Sequence, residues 1–188
     1  MNMCKNIWFS SDFHFGHNNI IKLCNRPTTQ EEHDEWLLNR INSVVNEWDD
    51  FYILGDVSFK SPGGPSRIVE LLKRMNGQKR LIIGNHDKHN WYLDKEVFKS
   101  IHDIYSLHVT GEFGEIALRD KLIVLCHYPI AKWASMHWGS WHLHGHCHGS
   151  FENSGLSIDV GVDANNWFPI SIEEVYNKLM LKTENNIK

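Results

Sequence analysis

Thirteen of the 188 residues are histidine, and five of them lie between His137 and His148. Imidazole is the commonest metal ligand and the usual proton carrier near neutral pH, so this clustering calls for a chemical explanation. The remaining oxygen and nitrogen donors recur just after short apolar runs. Asp12 and His14 follow Ile7-Trp8-Phe9, and Asp56 follows Phe51–Leu54 and Gly55. Asn85, His86 and Asp87 follow Leu81–Ile83, His127 follows Leu122–Cys126, and His144, His146 and His148 follow Trp141–Leu143. If those runs are buried strands, five strand ends carry donors. In α/β sheets, ligands bind beyond the carboxyl ends of strands, where loops converge on a rigid base.

The donor set mixes carboxylate, amide oxygen and imidazole without thiolate, which suits Mn, Fe, Ni or Zn better than a structural thiolate zinc site. Asp12 and His14 are two apart, as are His146 and His148, so each pair shares one side of an extended segment. One tetrahedral ion cannot use so many donors. Two ions are the economical reading, with Asp56 as the anionic bridge because it follows a buried strand and a glycine that leaves room. Two divalent ions about 3.5–4 Å apart clamp a phosphoryl group and bring the pKa of a bound water toward neutrality.

The ordered blocks Asp12-x-His14, Gly55-Asp56, Gly84-Asn85-His86-Asp87, His127 and Gly145-His146-x-His148 resemble the calcineurin-like metallophosphoesterase superfamily. The likeness is closest to its small single-domain phage and bacterial members, and extends through residues 11–20, Asn25-Arg26-Pro27, residues 139–142 and residues 159–163. The resemblance implies an α/β fold built as a four-layer αββα sandwich of two mixed sheets. It implies that Asp12, His14 and His148 hold one metal and Asn85, His127 and His146 the other, with Asp56 bridging. His86 matches the histidine that stands beside the scissile phosphate. The implied reaction is phosphoester hydrolysis by a hydroxide held between two divalent ions, manganese first among them.

Around this set, Asp87 reads as orienting His86 or bracing its loop, and His17 as either a loop hydrogen bond or a phosphate contact. Arg26 and Lys132 are the cations nearest the motifs and are nominated for support or for substrate phosphate. His142 and His144 read as structural supports, and His33, His89, His102 and His108 as surface or half-buried residues. Cys126 and Cys147 flank ligands, but strict alternation would turn both away. Trp133, Trp138 and Trp141 precede the Gly145-His146 block and are candidates to line a cleft and stack a base.

The elements that must position these residues are partly legible. Capping boxes at Thr29/Glu32 and Ser171/Glu174 open expected helices over Thr29–Trp48 and Ser171–Leu181. A third spans Ser66–Asn76, between Pro65 and Gly77, and a weaker one Asp94–Ile101. Ser61–Pro65 is a turn cluster, Glu115–Leu125 reads as a hairpin turning at Arg119-Asp120, and Leu156–Ile158 as a further strand. Residues 1–182 are expected to form one domain and 183–188 a frayed tail.

Composition bounds the rest. With 41% hydrophobic and 22% charged residues the chain is an ordinary globular one, and no apolar run reaches the ~18–20 residues of a membrane span. The opening residues read as mature protein, without a leader. The four cysteines show no paired spacing, which fits a reducing cytoplasm, the host's if the protein is phage-encoded. The net charge of -4 argues against holding extended nucleic acid by bulk electrostatics. A small phosphoester, with nucleotide diesters foremost, is the expected substrate. The alternatives are a nuclease on single strands, a phosphomonoesterase and a non-catalytic metal-binding scaffold for a protein partner. Oligomeric state is not encoded in these features.

Overall fold

The structure, a computed structural model, describes residues 5–59, 65–87, 97–152 and 154–185. It is an α/β fold of two mixed sheets. The first sheet has the order β4-β3-β2-β1-β9: β1 (Ile7–Ser10), β2 (Asp50–Ile53), β3 (Gln78–Ile82) and β4 (Ser100–His102) run parallel, and β9 (Ile170–Ser171) pairs antiparallel with β1. The second has the order β5-β6-β7-β8, with β5 (Ile104–Phe113) antiparallel to β6 (Ile116–Cys126), and β6, β7 (Trp141–His144) and β8 (Ser157–Asp159) parallel.

The first sheet is covered on both faces, which explains its continuous apolar runs. Along residues 51–54, Phe51 and Ile53 face one core and Tyr52 and Leu54 the other, the two-residue alternation of a strand. The outer core is made with α2 (His33–Val44) and α3 (Pro65–Arg74), through Leu37, Leu38, Ile41, Ile68, Leu71 and Leu72. The inner core joins the sheets, Phe9 and Leu54 meeting Ile123, Leu125, Trp141 and Leu143. Each such side chain is worth about 1.5–3 kcal/mol when fully buried. On the far side of β7, His142 is bonded to Val124 and Ile130 and lies 5.3 Å from the Trp133 ring, so residues 128–140 cover that face. β9 leads into α4 (Ile172–Asn185), whose Ile172, Val175 and Leu179 close the open side between the sheets.

Several boundaries differ from expectation. α2 starts at His33, because Thr29 Oγ1 donates to the Glu32 carboxylate and neither side chain caps a backbone N–H, and it stops at Val44, leaving Trp48 65% exposed. A short helix, α1 (Ile20–Leu23), precedes it. The Ser171 box does form: Ser171 N–H donates to Glu174 Oε2 at 2.7 Å and Glu174 N–H to Ser171 Oγ at 3.2 Å. α4 then runs on to Asn185 through residues expected to fray. The expected hairpin turns at Gly114, not at Arg119-Asp120. Asp120 instead sits in a β-bulge with φ 47°, its N–H held by Thr110 Oγ1, because an aspartate that tolerates left-handed backbone serves a bulge as well as a turn. Of the weak helix at 94–101, residues 97–99 lead into β4, residues 100–101 belong to it, and residues 94–96 lie outside the described residues, as do His89, Cys4 and residues 61–64. No helix among the described residues is long and apolar enough to cross a membrane.

Ser171→Ala removes one cap and leaves the Glu174 N–H unpaired, so it should lower unfolding free energy by about 1 kcal/mol in urea denaturation.

Candidate metal centre

Because β1, β2 and β3 are parallel, as are β6 and β7, the loops bearing the donors leave from the carboxyl ends of their strands. The two sheets are tied together there. Ser11 bridges to Gly161 beyond β8, and the Leu54 carbonyl accepts both Ser11 Oγ at 2.8 Å and His127 Nδ1 at 2.6 Å. His127 thereby spends its Nδ1 proton on the backbone, which turns Nε2 toward Asn85 Oδ1, 3.1 Å away, and Asp56 Oδ2, 3.5 Å away.

Among the described residues four overlapping donor groups result, two of which hold six of the seven expected ligands. Asp12, His14 and His148 converge with one ligand atom each within 4.8 Å of one another, and so do Asp56, His127 and His146. Asp56 Oδ2 stands 3.7 Å from His14 Nε2, so this carboxylate lies between the groups. All seven residues expected as ligands are therefore brought together. Buried groups normally have partners, yet Asp12 Oδ1 and both ring nitrogens of His14 are buried with no hydrogen-bond partner among the described residues. Such atoms, grouped in this way, fit a divalent ion.

The backbone is forced at this place. Asp12, His14, Asp56, His146 and His148 all have φ between 48° and 69°, a left-handed region that costs a non-glycine residue about 1–2 kcal/mol. The expected extended geometry at 12–14 and 146–148 is thus replaced by left-handed turns. With alternation broken, Cys147 is half-buried and lines the same cleft as His146 and His148, contrary to expectation. Gly145 lets the loop close: a Cβ there would collide with Ser11 Oγ and the Asp12 carboxylate.

Burial pushes the Asp12 carboxyl up to about 6 and the His14 imidazole down to about 2. For Asp56, burial works against the charge, but the His127 hydrogen bond and nearby imidazoles outweigh it and hold the carboxyl at about 2.

Residues outside the groups act as supports. Asp87 accepts the N–H groups of Asp56 and Gly84 at 2.8 Å and Val57 at 3.0 Å, fixing the Asp56 loop. Arg26 is 3% exposed and spends all five N–H donors, on Asp163, Phe13 O, His33 Nε2 and Asp12 O. It has none left for substrate phosphate and is a support. His33, expected at the surface or half-buried, is fully buried between Arg26 and Asp34. His17 packs its ring 4.4 Å from Phe59 and 5.4 Å from His14. Trp133 and Trp141 are buried, so of the three candidate cleft tryptophans only Trp138 is exposed. Lys132 is exposed and has no described role in the centre. His142 and His144 are buried and bonded to backbone carbonyls, as supports should be.

Two contributors escaped sequence reasoning. Asp163 Oδ2 accepts His148 Nδ1 at 2.7 Å, orienting Nε2 toward Asp12 Oδ1 at 3.9 Å. The signal was the Asp159-Val-Gly-Val-Asp163 run, which carries a second carboxylate. Tyr128 lies edge-on to the rings of His127 and His146, at 5.0 and 4.9 Å, and only its place after His127 hinted at it.

Two measurements check this arrangement. Asp163→Asn should weaken manganese binding about ten- to a hundredfold in calorimetry while the fold persists. Asp12 has a folded pKa above its unfolded value of 3.8, so it favours folding below that value and loses the contribution as pH rises through about 6. In metal-free protein, the unfolding free energy of wild type relative to Asp12→Asn should therefore fall by on the order of 3 kcal/mol between about pH 4 and pH 7. A flat difference would contradict the desolvated carboxylate.

No known protein-family profile matches the chain. The chain is 32% identical over 177 residues to the uncharacterized protein MJ1445 of Methanocaldococcus jannaschii, covering 90% of this chain and 88% of that one. It is 30% identical to the Gene 66 protein of Mycobacterium phage L5, over 92% of this chain and 93% of that one. A crystal structure of the Aquifex aeolicus protein of unknown function AQ665 superposes with a TM-score of 0.69 at 26% identity, over 92% of this chain and 98% of that one. With that identity carried across nearly the full length of both sequences, the chain belongs to the family that includes MJ1445 and the L5 Gene 66 protein.

Proposed function

We propose that this protein is a calcineurin-like metallophosphoesterase that hydrolyses small phosphodiesters, nucleotide esters among them, with two divalent ions. The observation that carries this is the sharing of Asp56 between two donor groups that leave Asp12 Oδ1 and both His14 nitrogens buried and unpartnered. A single structural zinc has no need of seven donors or of a carboxylate set between two groups. The two-sheet sandwich, with α2 and α3 layered on the first sheet, is consistent with the αββα arrangement on that side.

Asp12, His14 and His148 would hold one ion and Asn85, His127 and His146 the other, with Asp56 common to both. Manganese is the first candidate for a set of oxygen and imidazole donors. When bound, such a pair supplies a water acidic enough to attack phosphorus at neutral pH and positive charge for the phosphoryl oxygens.

The chain's own groups do the rest. His127 and His148 are locked with Nε2 forward by the Leu54 carbonyl and the Asp163 carboxylate. His86 is positioned through its backbone, whose N–H donates to Asp56 Oδ1 at 2.9 Å, and through its ring, edge-on to Phe59 at 4.8 Å. Its side chain is 35% exposed and its Nε2 is 3.8 Å from Asp56 Oδ2, so it sits between the buried carboxylate and solvent. There it can hand a proton to the departing alcohol oxygen, a contribution of about a hundred- to ten-thousandfold.

Bis-p-nitrophenyl phosphate with added manganese tests the proposal. Wild type should turn it over and Asp56→Asn should not; on an alkyl diester, whose alkoxide needs a proton to leave, His86→Ala should lose about a hundredfold or more in kcat while keeping two equivalents of metal. Metal loss in His86→Ala would reassign it as a ligand, which its place beside His14 and Asp56 makes the competing role. Two bound metals without turnover of any phosphoester would favour a scaffold.

A further inference from the structure

A cleft of about 550 Å³ opens onto the donor groups from one side. Its floor includes His146 from one group and His148 from the other, so a phosphoryl group held between the two sets would have a substituent at its mouth. It is lined by Ile20, Leu23 and Cys24, from α1 and the residue after it, and by Cys147 and Ser150. Leu23 is 71% exposed, an apolar side chain presented to water beside the centre. Among the described residues the lining contains no lysine or arginine. Its one carboxylate, Asp163, is spent on Arg26 and His148. His86 is not among the lining residues.

These features select a ligand by charge and by polarity. A wall without cations cannot neutralise a second phosphate, so di- and triphosphates and the backbone of a polynucleotide gain nothing there. Uncovered apolar surface next to a reactive centre gains by burying an uncharged group of matching character. Resting on the hydrolase reading above, we propose that this cleft binds the retained substituent of a phosphodiester, an uncharged aryl or nucleoside group that stays on the phosphate. In that reaction the oxygen of water bonds to phosphorus and the bond to the other ester oxygen breaks with its electron pair. That oxygen takes a proton through His86, and the second water proton is released as the monoester ionises. The product is a monoester whose organic group lies against Leu23.

The test separates the cleft from the chemistry. With manganese-loaded protein, thymidylate and inorganic phosphate are compared by calorimetry in wild type, Leu23→Asp and Leu23→Met. The p-nitrophenyl ester of thymidylate is compared with methyl p-nitrophenyl phosphate in turnover, since both lose the same alcohol. Wild type should bind thymidylate at least about tenfold more tightly than phosphate and prefer the thymidylate ester through KM. Leu23→Asp should erase both preferences, and Leu23→Met should retain them. Equal binding of thymidylate and phosphate, or a preference indifferent to Leu23→Asp, overturns the cleft assignment. A binding preference that follows Leu23 with no turnover of either ester leaves the cleft standing and overturns the hydrolase reading.

Discussion

Two carboxylates, Asp12 and Asp56, are kept from water at the seam between two sheets, in the company of His14, His127 and His148. Removing a carboxylate from water is expensive unless charge or hydrogen bonds replace the lost hydration. Asp56 has some of that compensation, from the His86 N–H and the His127 ring. Asp12 has less: one oxygen accepts the His146 N–H and the other has no partner. Much of the surrounding architecture can be understood as holding these two groups where they do not rest comfortably by themselves.

Holding them takes fixed supports. Arg26 is the hub: its guanidinium grips the backbone carbonyls of Asp12 and Phe13, leans on His33, and pairs with Asp163 through two parallel hydrogen bonds. Asp163 in turn orients His148, while Asp34 braces His33 and accepts the Gly16 N–H. On the other side Asp87 gathers three backbone N–H groups of the Gly84 and Asp56 loops. Both assemblies place an acceptor where a donor would otherwise be stranded, which lets five donor residues remain in left-handed backbone. The strain is concentrated where the donors are, and the packed cores of the two sheets supply the stability that tolerates it.

The same constraint gives the centre its asymmetry. Towards His86 and Phe59 the surroundings are polar and aromatic, with a titratable group partly open to solvent. Towards α1 the apolar Ile20 and Leu23 stand beside the donors, and the described lining holds no lysine or arginine. Under the proposed reading, a phosphoryl compound held at such a centre would meet two different environments, one suited to proton transfer and the other to contact with an organic group.

The donor residues and the strands beneath them were legible in the sequence because each is a local pattern. An apolar run buried on both faces followed by glycine and a donor marks a parallel strand and the loop after it, and the Ser171–Glu174 box marks a helix start without reference to anything distant. What could not be read locally was decided by contacts across the fold. Arg26 lies 137 positions from Asp163, and only their pairing turns a possible phosphate ligand into a buried support. The left-handed turns at Asp12, His14, His146 and His148 arise because two loops from different sheets must close on one point, so alternation failed there and Cys147 faced the cleft. Asp120 was ambiguous for the same reason: a residue at ease with positive φ fits a turn or a bulge, and the register between β5 and β6 chose the bulge. The sequence by itself determined which side chains gather; the tertiary structure decided which of them face one another and which merely hold the others in place, because burial and pairing are properties of the assembled sheets.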